Sequence, residues 1–324
     1  MTKAILVHET GGPDVMRWEE VEVGEPGPGQ VRIRQTAVGL NFIDVYHRTG
    51  LYPQPLPFTP GVEGAGVIES VGSGVEGLKP GDRVAYAGPI GGYAEERLIA
   101  ADRLVKLLDD ISDEQAAAMM LQGMTVDMLI NRVRPLKAGE TILVHAAAGG
   151  VGLILCQWAS ALGATVIGTV STEEKAELAR ANGCDHPILA KSQDFVALVD
   201  EFTNGAKVPV VYDSVGKDTF MGSLDCLQKR GLMVSFGQSS GPIESFATGL
   251  LAQKGSLYLT RPTLFDYIAK REELEQSAAA LFDVVRSGKV RIDIGQRFPL
   301  SESAEAHRAL EARETTGSTV LTIG

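Results

Sequence analysis

The chain has 324 residues, more than one domain usually contains and enough for two hydrophobic cores. Hydrophobic residues make up 44% of it and charged residues 22%, a balance that excludes a disordered or fibrous protein. Its formal net charge of −11 disfavours nucleic acid as the main partner, because an acidic surface repels a phosphate backbone.

The three cysteines are too few and too widely spaced for a disulfide framework or a structural zinc lobe. No apolar stretch at the N-terminus has the length of a signal peptide. We therefore expect a reducing, cytoplasmic setting. Segment 141–172 has no charged residue and is long enough to cross a membrane, but Gly149, Gly150 and Gly163 divide it into strand, helix and strand. We expect no membrane span.

Short β-rich runs fill the chain up to about residue 120, and turns rich in Gly and Pro separate them. Gln30–Val38 and Gly66–Val71 are two of the runs, and residues 25–29 and 79–82 form turns. This pattern predicts a small barrel or an irregular sandwich. After Ser112 an alanine-rich stretch predicts a helix.

From Thr141 strands alternate with helices, which predicts a doubly wound parallel sheet. The first helix ends at Gly163, and Ser171-x-x-Glu174 is interpreted as a capping box that starts the next helix. The tail should hold two helices and a last strand. The predicted sheet strands are Thr141–His145, Thr165–Val170, His186–Leu189, Val208–Asp213, Leu232–Gly237 and Ser256–Thr260, and the tail elements are Glu272–Ser287, Glu302–Ala312 and Ser318–Ile323.

A glycine-rich segment links the first sheet strand to its helix. It reads His145-Ala146-Ala147-Ala148-Gly149-Gly150-Val151-Gly152, a variant of the dinucleotide-binding fingerprint. Gly149 lets the backbone approach a pyrophosphate, the start of the helix offers unpaired N–H groups, and Gly152 allows close helix–strand packing. The alternative is a turn that only packs. We predict that a dinucleotide is bound by Ala148, Gly149, Gly150, Val151 and Gly152.

The end of the second strand decides which dinucleotide is bound, because an Asp or Glu there holds the ribose of NAD. Here the strand ends without a carboxylate. Glu173 and Glu174 favour NAD if they point inward, but a nearby lysine and hydroxyls suit a 2′-phosphate. We therefore predict NADPH, bound in part by Thr169, Ser171 and Lys175.

Two extended patterns carry a resemblance that covers the whole chain. The first is Gly139-Glu140-x-x-Leu143-x-x-x-Ala147-Ala148-Gly149-Gly150-x-Gly152-x-x-x-x-Gln157-x-x-Ser160, and the second is Gly61-Val62-Glu63-x-x-Gly66-x-x-x-x-x-Gly72-x-x-Val75. With these patterns the chain resembles the quinone oxidoreductases of the zeta-crystallin-like, zinc-independent branch of the medium-chain dehydrogenase/reductase superfamily.

The resemblance implies an α/β protein of two domains with an active cleft between them. Residues 1–123 and 264–324 would form a GroES-like β-barrel catalytic domain. Residues 124–263 would form a Rossmann NADPH-binding domain with a doubly wound, six-stranded parallel sheet. The implied reaction is metal-free transfer of hydride from NADPH to a quinone.

The chain departs from zinc-dependent relatives at the metal site. They carry Gly-His-Glu where this sequence has Gly61-Val62-Glu63, and their first zinc ligand, usually Cys, resembles the place of Asn41. We therefore predict no metal. Without a Lewis acid an alcohol is hard to oxidise, so the substrate should be reactive by itself, such as a quinone or an enone.

The resemblance also implies which loops surround the reacting groups. The segment from Asn41 to Tyr46 with Tyr52 resembles the nicotinamide and substrate-side loop. Tyr46 and Tyr52 either stack on the acceptor or donate a proton, and ordinary loop packing is an equal alternative. Asp44 is interpreted as a structural hydrogen-bond acceptor. The predicted catalytic residues are Asn41, Tyr46 and Tyr52, with Phe42 and Ile43 beside the cofactor.

Other cofactor contacts follow from the resemblance alone. Arg313 matches an arginine near the cofactor cleft, although a solvated arginine is an equal alternative. Relatives often have Tyr where this chain has Ala190, so the adenosine end is expected to bind less tightly or through Lys175. The remaining predicted contacts are Gln122, Thr125, Ser214, Val215, Phe236, Gly237, Gln238 and Ser239.

Two rival functions stay open. A 2-alkenal or enone reductase shares the fold, the cofactor and the metal-free site, and only the pocket near Tyr46, Tyr52 and Thr263–Tyr267 would distinguish it. A low-turnover NADPH-binding protein, crystallin-like or RNA-binding, belongs to another class, and the net charge of −11 opposes RNA.

The sixth predicted strand, Ser256–Thr260, carries no charge and should lie at an edge of its sheet. Exposed edges of this kind pair with other chains. We expect a homodimer through this strand; the alternative is that the tail from Leu264 covers the edge and leaves a monomer.

Overall fold

The computed structural model describes Thr2–Gly324, and this part of the chain divides into two compact units. The first comprises residues up to Met124 with Ile268–Leu281 and Ile292–Gly324, and the second comprises Thr125–Tyr267 with Phe282–Arg291. Each unit has its own hydrophobic core.

The tail divides differently from the sequence-based expectation, which placed every residue from 264 onward in the first unit. Residues 264–267 and 282–291 group with the second unit instead. Gln157 binds the end of segment 282–291 to the second unit. Its side-chain Nε2 donates to the Arg291 carbonyl at 3.0 Å, and its Oε1 accepts from the Arg291 N–H at 2.8 Å.

The first unit is built on a seven-stranded sheet with strand order β14-β15-β3-β4-β5-β7, and β6 pairs with β3 beside this path. Its strands are β1 (Thr2–Val7), β2 (Met16–Val21), β3 (Gln30–Leu40), β4 (Glu63–Val71), β5 (Arg83–Ala87), β6 (Glu96–Ala100), β7 (Val105–Lys106), β14 (Ile294–Pro299) and β15 (Ser318–Thr322), with β1 and β2 in a separate pair. Its helices are α1 (Phe42–Arg48), α2 (Asp113–Ala117) and α11 (Ser303–Glu311).

Two helices run from one unit into the other: α3 (Met120–Asp127), which continues as a π-helical segment to Val133, and α10 (Arg271–Arg286). Short 3₁₀ turns occupy Pro13–Val15, Ala101–Arg103 and Leu300–Glu302.

The second unit is a six-stranded parallel sheet with strand order β10-β9-β8-β11-β12-β13, the doubly wound arrangement predicted from the sequence. Its strands are β8 (Thr141–Val144), β9 (Thr165–Val170), β10 (His186–Leu189), β11 (Val208–Asp213), β12 (Leu227–Ser235) and β13 (Tyr258–Thr260). Its helices are α4 (Gly150–Ala161), α5 (Glu173–Ala181), α6 (Phe195–Phe202), α7 (Phe220–Cys226), α8 (Gly249–Gln253) and α9 (Leu264–Tyr267).

Apolar side chains fill the layer between this sheet and α6 and α7. Leu143, Ile167, Val211 and Phe220 are among its members and are at most 3% exposed. Full burial of one such side chain stabilises a fold by about 1.5–3 kcal/mol, so this layer holds the strand ends at fixed positions.

Local predictions were wrong at the starts of α5, β12 and β13. The cap of α5 is Thr172, not Ser171, because Thr172 has extended backbone angles and its hydroxyl accepts from the Lys175 N–H. Strand β13 starts at Tyr258 rather than Ser256, because Ser256 takes a left-handed conformation at φ 55°.

No helix among residues 2–324 is long and apolar enough to cross a membrane. Cys156, Cys184 and Cys226 are buried free thiols.

Candidate functional site

Backbone hydrogen bonds fix the shape of the glycine-rich loop between β8 and α4. Ala146 is exposed at φ 55°, and its carbonyl accepts from the Gly149 N–H at 3.0 Å. The Ala147 N–H donates to the Thr169 carbonyl at 3.0 Å, which ties the loop to the end of β9.

This loop leaves the start of α4 open. Gly149 is the cap residue of α4 and no side chain caps the helix there, so the first N–H groups remain available for an anion. A Cβ on Gly152 would lie 2.2 Å from the Ala146 carbonyl oxygen, so only glycine fits at that position. The helix start has free N–H groups, and the loop backbone packs closely on the helix at Gly152. A pyrophosphate site requires this arrangement.

The end of β9 presents part of the residue set predicted for a 2′-phosphate. Ser171 and Lys175 are half-buried, whereas Glu173 and Glu174 are exposed. The Thr169 side chain is buried, and its Oγ1 lies 2.9 Å from His145 Nδ1. Its hydroxyl hydrogen is therefore engaged inside the protein.

His145 belongs to a buried polar network that the sequence did not reveal. Ser223 Oγ lies 2.9 Å from His145 Nε2 and donates to Asp213 Oδ2 at 3.2 Å. Because the Ser223 hydrogen goes to Asp213, Ser223 accepts from His145 Nε2–H, and His145 Nδ1 accepts from Thr169. Burial lowers the pKa of His145, which keeps the ring neutral.

Asp213 also shapes the loop after β11. Its Oδ1 accepts from the N–H groups of Val215 at 2.7 Å and Gly216 at 3.0 Å. The loop after β12 packs on this turn, since a Cβ on Gly237 would lie 2.5 Å from the Ser214 carbonyl oxygen. The predicted residues here, Ser214, Val215, Phe236, Gly237, Gln238 and Ser239, are all half-buried.

The four loops after β8, β9, β11 and β12 therefore share one edge of the second unit, because the carboxyl ends of parallel strands lie together. This edge is where doubly wound sheets bind ligands. Thr125 also lies in the second unit and is half-buried.

The other predicted residues lie in the first unit, most of them on or beside α1. The rings of Tyr46 and Tyr52 meet edge to face at 5.1 Å, and Phe42 packs on Tyr46 at 5.9 Å. Tyr46 is 7% exposed, so most of its ring packs inside the unit. Phe42, Ile43 and Tyr52 are half-buried, while Arg313 is exposed at φ 62° after α11.

Asn41, just before α1, makes hydrogen bonds through its side-chain nitrogen, its side-chain oxygen and its backbone N–H. Its Nδ2 donates to Glu63 Oε2 at 2.6 Å, and its Oδ1 accepts from Gln122 Nε2 at 3.1 Å. Its backbone N–H donates to Asp44 Oδ2 at 2.9 Å. Asp44 is thus the structural acceptor that the sequence indicated, and the Asn41 amide is hydrogen-bonded at both its nitrogen and its oxygen.

Both carboxyl groups around Asn41 are completely buried. Burial raises the pKa of Glu63 to about 8, against hydrogen bonds from Asn41 and from the backbone N–H of Leu121. Burial likewise raises the pKa of Asp44 to about 7, against hydrogen bonds from the Asn41 backbone, the Tyr93 hydroxyl and the Gly61 backbone. Protonated and ionised forms of both groups are therefore accessible near neutral pH.

A second buried chain runs from α11 to α1. Arg48 donates to His307 Nδ1 at 3.3 Å, His307 Nε2 lies 3.0 Å from the Tyr93 hydroxyl, and that hydroxyl donates to Asp44 Oδ2 at 3.1 Å. Burial lowers the pKa of His307 to about 3, with a contribution from Arg48. Arg48 is also paired with Glu311 at 2.8 Å. Helix α11 thereby fixes the position of α1.

Within residues 2–324 no three His, Cys, Asp or Glu side chains converge into a group that could hold a metal ion. Val62 and Asn41 stand at the two positions where zinc-dependent relatives have ligands. Val62 is buried, and the Asn41 side chain is hydrogen-bonded to Glu63 and Gln122.

Comparison with known proteins places the chain among oxidoreductases. A family model described as "Alcohol dehydrogenase GroES-like domain" matches residues 27–109, and one described as "Zinc-binding dehydrogenase" matches residues 150–283. The predicted fold class, a GroES-like domain with a Rossmann domain, is thereby confirmed.

Full-length relatives are more informative. A quinone oxidoreductase of Pseudomonas aeruginosa is 54% identical over 99% of both chains, and a 2-haloacrylate reductase of a Burkholderia species is 47% identical over 99% of both. The crystal structure of Escherichia coli quinone oxidoreductase complexed with NADPH superposes with a TM-score of 0.97, at 48% identity over 99% of both chains.

Proposed function

Because the chain belongs to the zinc-independent quinone oxidoreductase family of the medium-chain dehydrogenase/reductase superfamily, we propose that it reduces a quinone with NADPH. The observation that carries the proposal is the open start of α4 over Gly152, which suits a pyrophosphate. When bound, NADPH supplies the hydride. The quinone takes up this hydride with one proton and becomes a hydroquinone.

The residues of the second unit bind and orient the cofactor in this proposal. The first N–H groups of α4 hold the pyrophosphate, and the loops after β11 and β12 supply further backbone contacts. Lys175 and Ser171 hold the 2′-phosphate, while the Thr172 hydroxyl is engaged in capping α5. Because Glu173 and Glu174 are exposed to solvent, their negative charges do not oppose binding of the 2′-phosphate.

The residues of the first unit act on the acceptor. Asn41 presents a hydrogen of its amide to the quinone oxygen that gains negative charge as hydride arrives. The half-buried Tyr52 ring forms an aromatic wall for a flat acceptor, and the buried Tyr46 ring supports it through their edge-to-face contact. The three buried free cysteines support a reducing, cytoplasmic setting.

Steady-state oxidation of NADPH with 1,4-benzoquinone, a naphthoquinone and an enal tests the proposal. We expect the quinones to be reduced fastest, and we expect the rate to survive exhaustive chelation with less than stoichiometric zinc in the purified protein. A higher kcat/KM for the enal would favour the second candidate, an enone reductase, which the 47% identity to a 2-haloacrylate reductase supports. No turnover with NADPH bound would favour a low-turnover binding protein.

Replacing Lys175 by alanine should weaken NADPH binding selectively. Loss of one charged hydrogen bond to the 2′-phosphate costs about 1–3 kcal/mol, whereas NADH has no such group. Fluorescence titration of both cofactors measures the difference. Glu177→Gln, on the same helix, is the matched control. Equal losses for NADPH and NADH would contradict the assignment of Lys175.

We also propose a homodimer through β13. This strand ends the sheet order, and Tyr258 is 61% exposed on it. A lysine at position 258 would bring two like charges into the seam of a two-fold strand pair, so Tyr258→Lys should convert a dimer into a monomer without altering the fold. Light scattering at micromolar concentration gives the mass. A monomeric wild type would rule the dimer out.

A further inference from the structure

Four buried polar side chains of the first unit form one hydrogen-bonded row. The row runs from Glu63 on β4 through Asn41 and Gln122 to Ser318 on β15, and all four residues are at most 8% exposed. Beyond the Asn41 contacts described above, Ser318 Oγ donates to Gln122 Oε1 at 2.7 Å. Ser318 Oγ also lies 2.8 Å from a second acceptor, the Ala118 carbonyl oxygen.

The fold makes room for a carboxyl group at the head of this row. Glu63 Oε1 accepts from the Leu121 N–H at 2.8 Å, in the first turn of α3, where helix N–H groups lack intrahelical partners. A Cβ on Gly39 would lie 2.1 Å from the Ala117 carbonyl oxygen and 2.5 Å from Glu63 Oε2, so the glycine in β3 leaves room for both groups.

An ionised Glu63 fixes the direction of every bond in the row. A carboxylate only accepts, so Asn41 must turn Nδ2 toward Glu63 and Oδ1 toward Gln122. Gln122 then donates from Nε2 and accepts at Oε1 from Ser318. One hydrogen of Asn41 Nδ2 is left without a protein acceptor among the described residues.

A protonated Glu63 allows the opposite direction with the same atoms. Its hydroxyl would donate to Asn41 Oδ1, and the Asn41 amide, turned over, would donate to Gln122. Gln122 would then donate to Ser318 Oγ, whose hydrogen would go to Ala118. Every polar atom of the row keeps at least one hydrogen bond in both directions, so the two directions differ little in the cost of unpaired buried groups.

We propose that Glu63 is a positioning residue for quinone reduction, and that its ionised form orients Asn41 so that Nδ2, rather than Oδ1, occupies the side of the amide nearer Glu63. This inference rests on the proposed function. The side chain of Glu63 touches neither acceptor nor cofactor in this scheme; it acts through Asn41.

The electrostatic surroundings make both states accessible. Burial raises the pKa of Glu63 to about 8, and the N–H donors of Asn41 and Leu121 oppose that rise. Other titratable or charged groups interact with Glu63 or its partners: Asp44, Tyr86, Tyr93 and, over the Tyr86 ring at 4.9 Å, Arg97.

A double-mutant cycle of Glu63→Gln and Asn41→Ala tests the proposal. Glu63→Gln keeps the shape, but the Leu121 N–H holds the amide oxygen and the amide nitrogen then faces Asn41, which favours the reversed row. The kcat with 1,4-benzoquinone should therefore fall by about a hundredfold to a thousandfold, the range of a lost oxyanion donor. The dissociation constant of NADPH should change less than twofold. In the background of Asn41→Ala, Glu63→Gln should have no further effect on kcat. Glu96→Gln, a half-buried carboxylate paired with Arg32 in the same unit, is the matched control.

The pH profile provides a readout that a purely structural role would not move. In the wild type, kcat should rise as pH increases through the pKa of Glu63, and Glu63→Gln should remove that limb. Additive losses in the cycle, wild-type kcat in Glu63→Gln, or a limb that survives in Glu63→Gln would each overturn the proposal.

An experiment without turnover separates this inference from the proposed function. The side-chain amide ¹⁵N–¹H signals of Asn41 should titrate with pH in the wild type and not in Glu63→Gln. If the wild type reduces no quinone, the proposed function fails, and this titration still decides whether Glu63 sets the direction of the row. An Asn41 signal independent of pH in the wild type would reject it.

Discussion

Gly152→Ala is expected to abolish tight NADPH binding and to lower the free energy of unfolding. The new Cβ would lie 2.2 Å from the Ala146 carbonyl oxygen and 2.8 Å from two backbone atoms of Ala147, and backbone cannot rotate away as a side chain can. Overpacking of this kind costs about 3 kcal/mol, and relief requires the loop to move away from α4. Urea denaturation and NADPH titration measure the two effects.

A matched control is available in the same unit. Gly249 begins α8, and a Cβ there would meet nothing within 4 Å. Gly249→Ala should therefore leave both stability and NADPH affinity near wild-type values. If Gly152→Ala binds NADPH as tightly as Gly249→Ala does, the loop is not the pyrophosphate site.

Asp213→Ala is expected to lower the free energy of unfolding by about 3–5 kcal/mol, the cost of breaking a buried polar network. Two backbone N–H groups and the hydroxyls of Thr219 and Ser223 would lose their acceptor. The loop after β11 would also lose its shape, so NADPH affinity should fall together with stability.

Asp213→Asn separates the charge from the hydrogen bonds. The asparagine Oδ1 still accepts from Val215 and Gly216, and its amide donates to Thr219 and Ser223. Ser223 can then donate to His145, which changes the tautomer of the ring instead of leaving it unpaired. This variant should lose less than half of the stability that Asp213→Ala loses. Equal losses in a urea titration would show that the network cannot reverse its direction.

The sequence predicted the second unit well because its signals are local. A buried parallel strand, a glycine turn and an apolar helix face follow one another within about 20 residues. Right-handed crossovers then restrict how such strands can be ordered. Strand β12 shows the limit: it begins at Leu227 rather than Leu232, because the helix before it ends directly in the strand without a loop.

The polar networks could not be predicted because their partners are distant in the sequence. Asn41 was selected by resemblance, but nothing in its neighbourhood indicates Gln122 or Glu63 as partners. Likewise His307, in a tail helix of ordinary composition, has no local signal for its position beside Tyr93. Gly39 does carry a local signal, because a glycine inside a strand often marks a close approach by another group.

The sheet of the first unit has a consequence for synthesis on the ribosome. Its strand β3 pairs with β15, which is formed by the last residues of the chain, and α1 is bonded to α11. The whole of the second unit emerges between these partners. We therefore expect the second unit to be largely folded while β3 still lacks a neighbour, and this exposed strand is then the part of the nascent chain most prone to aggregation.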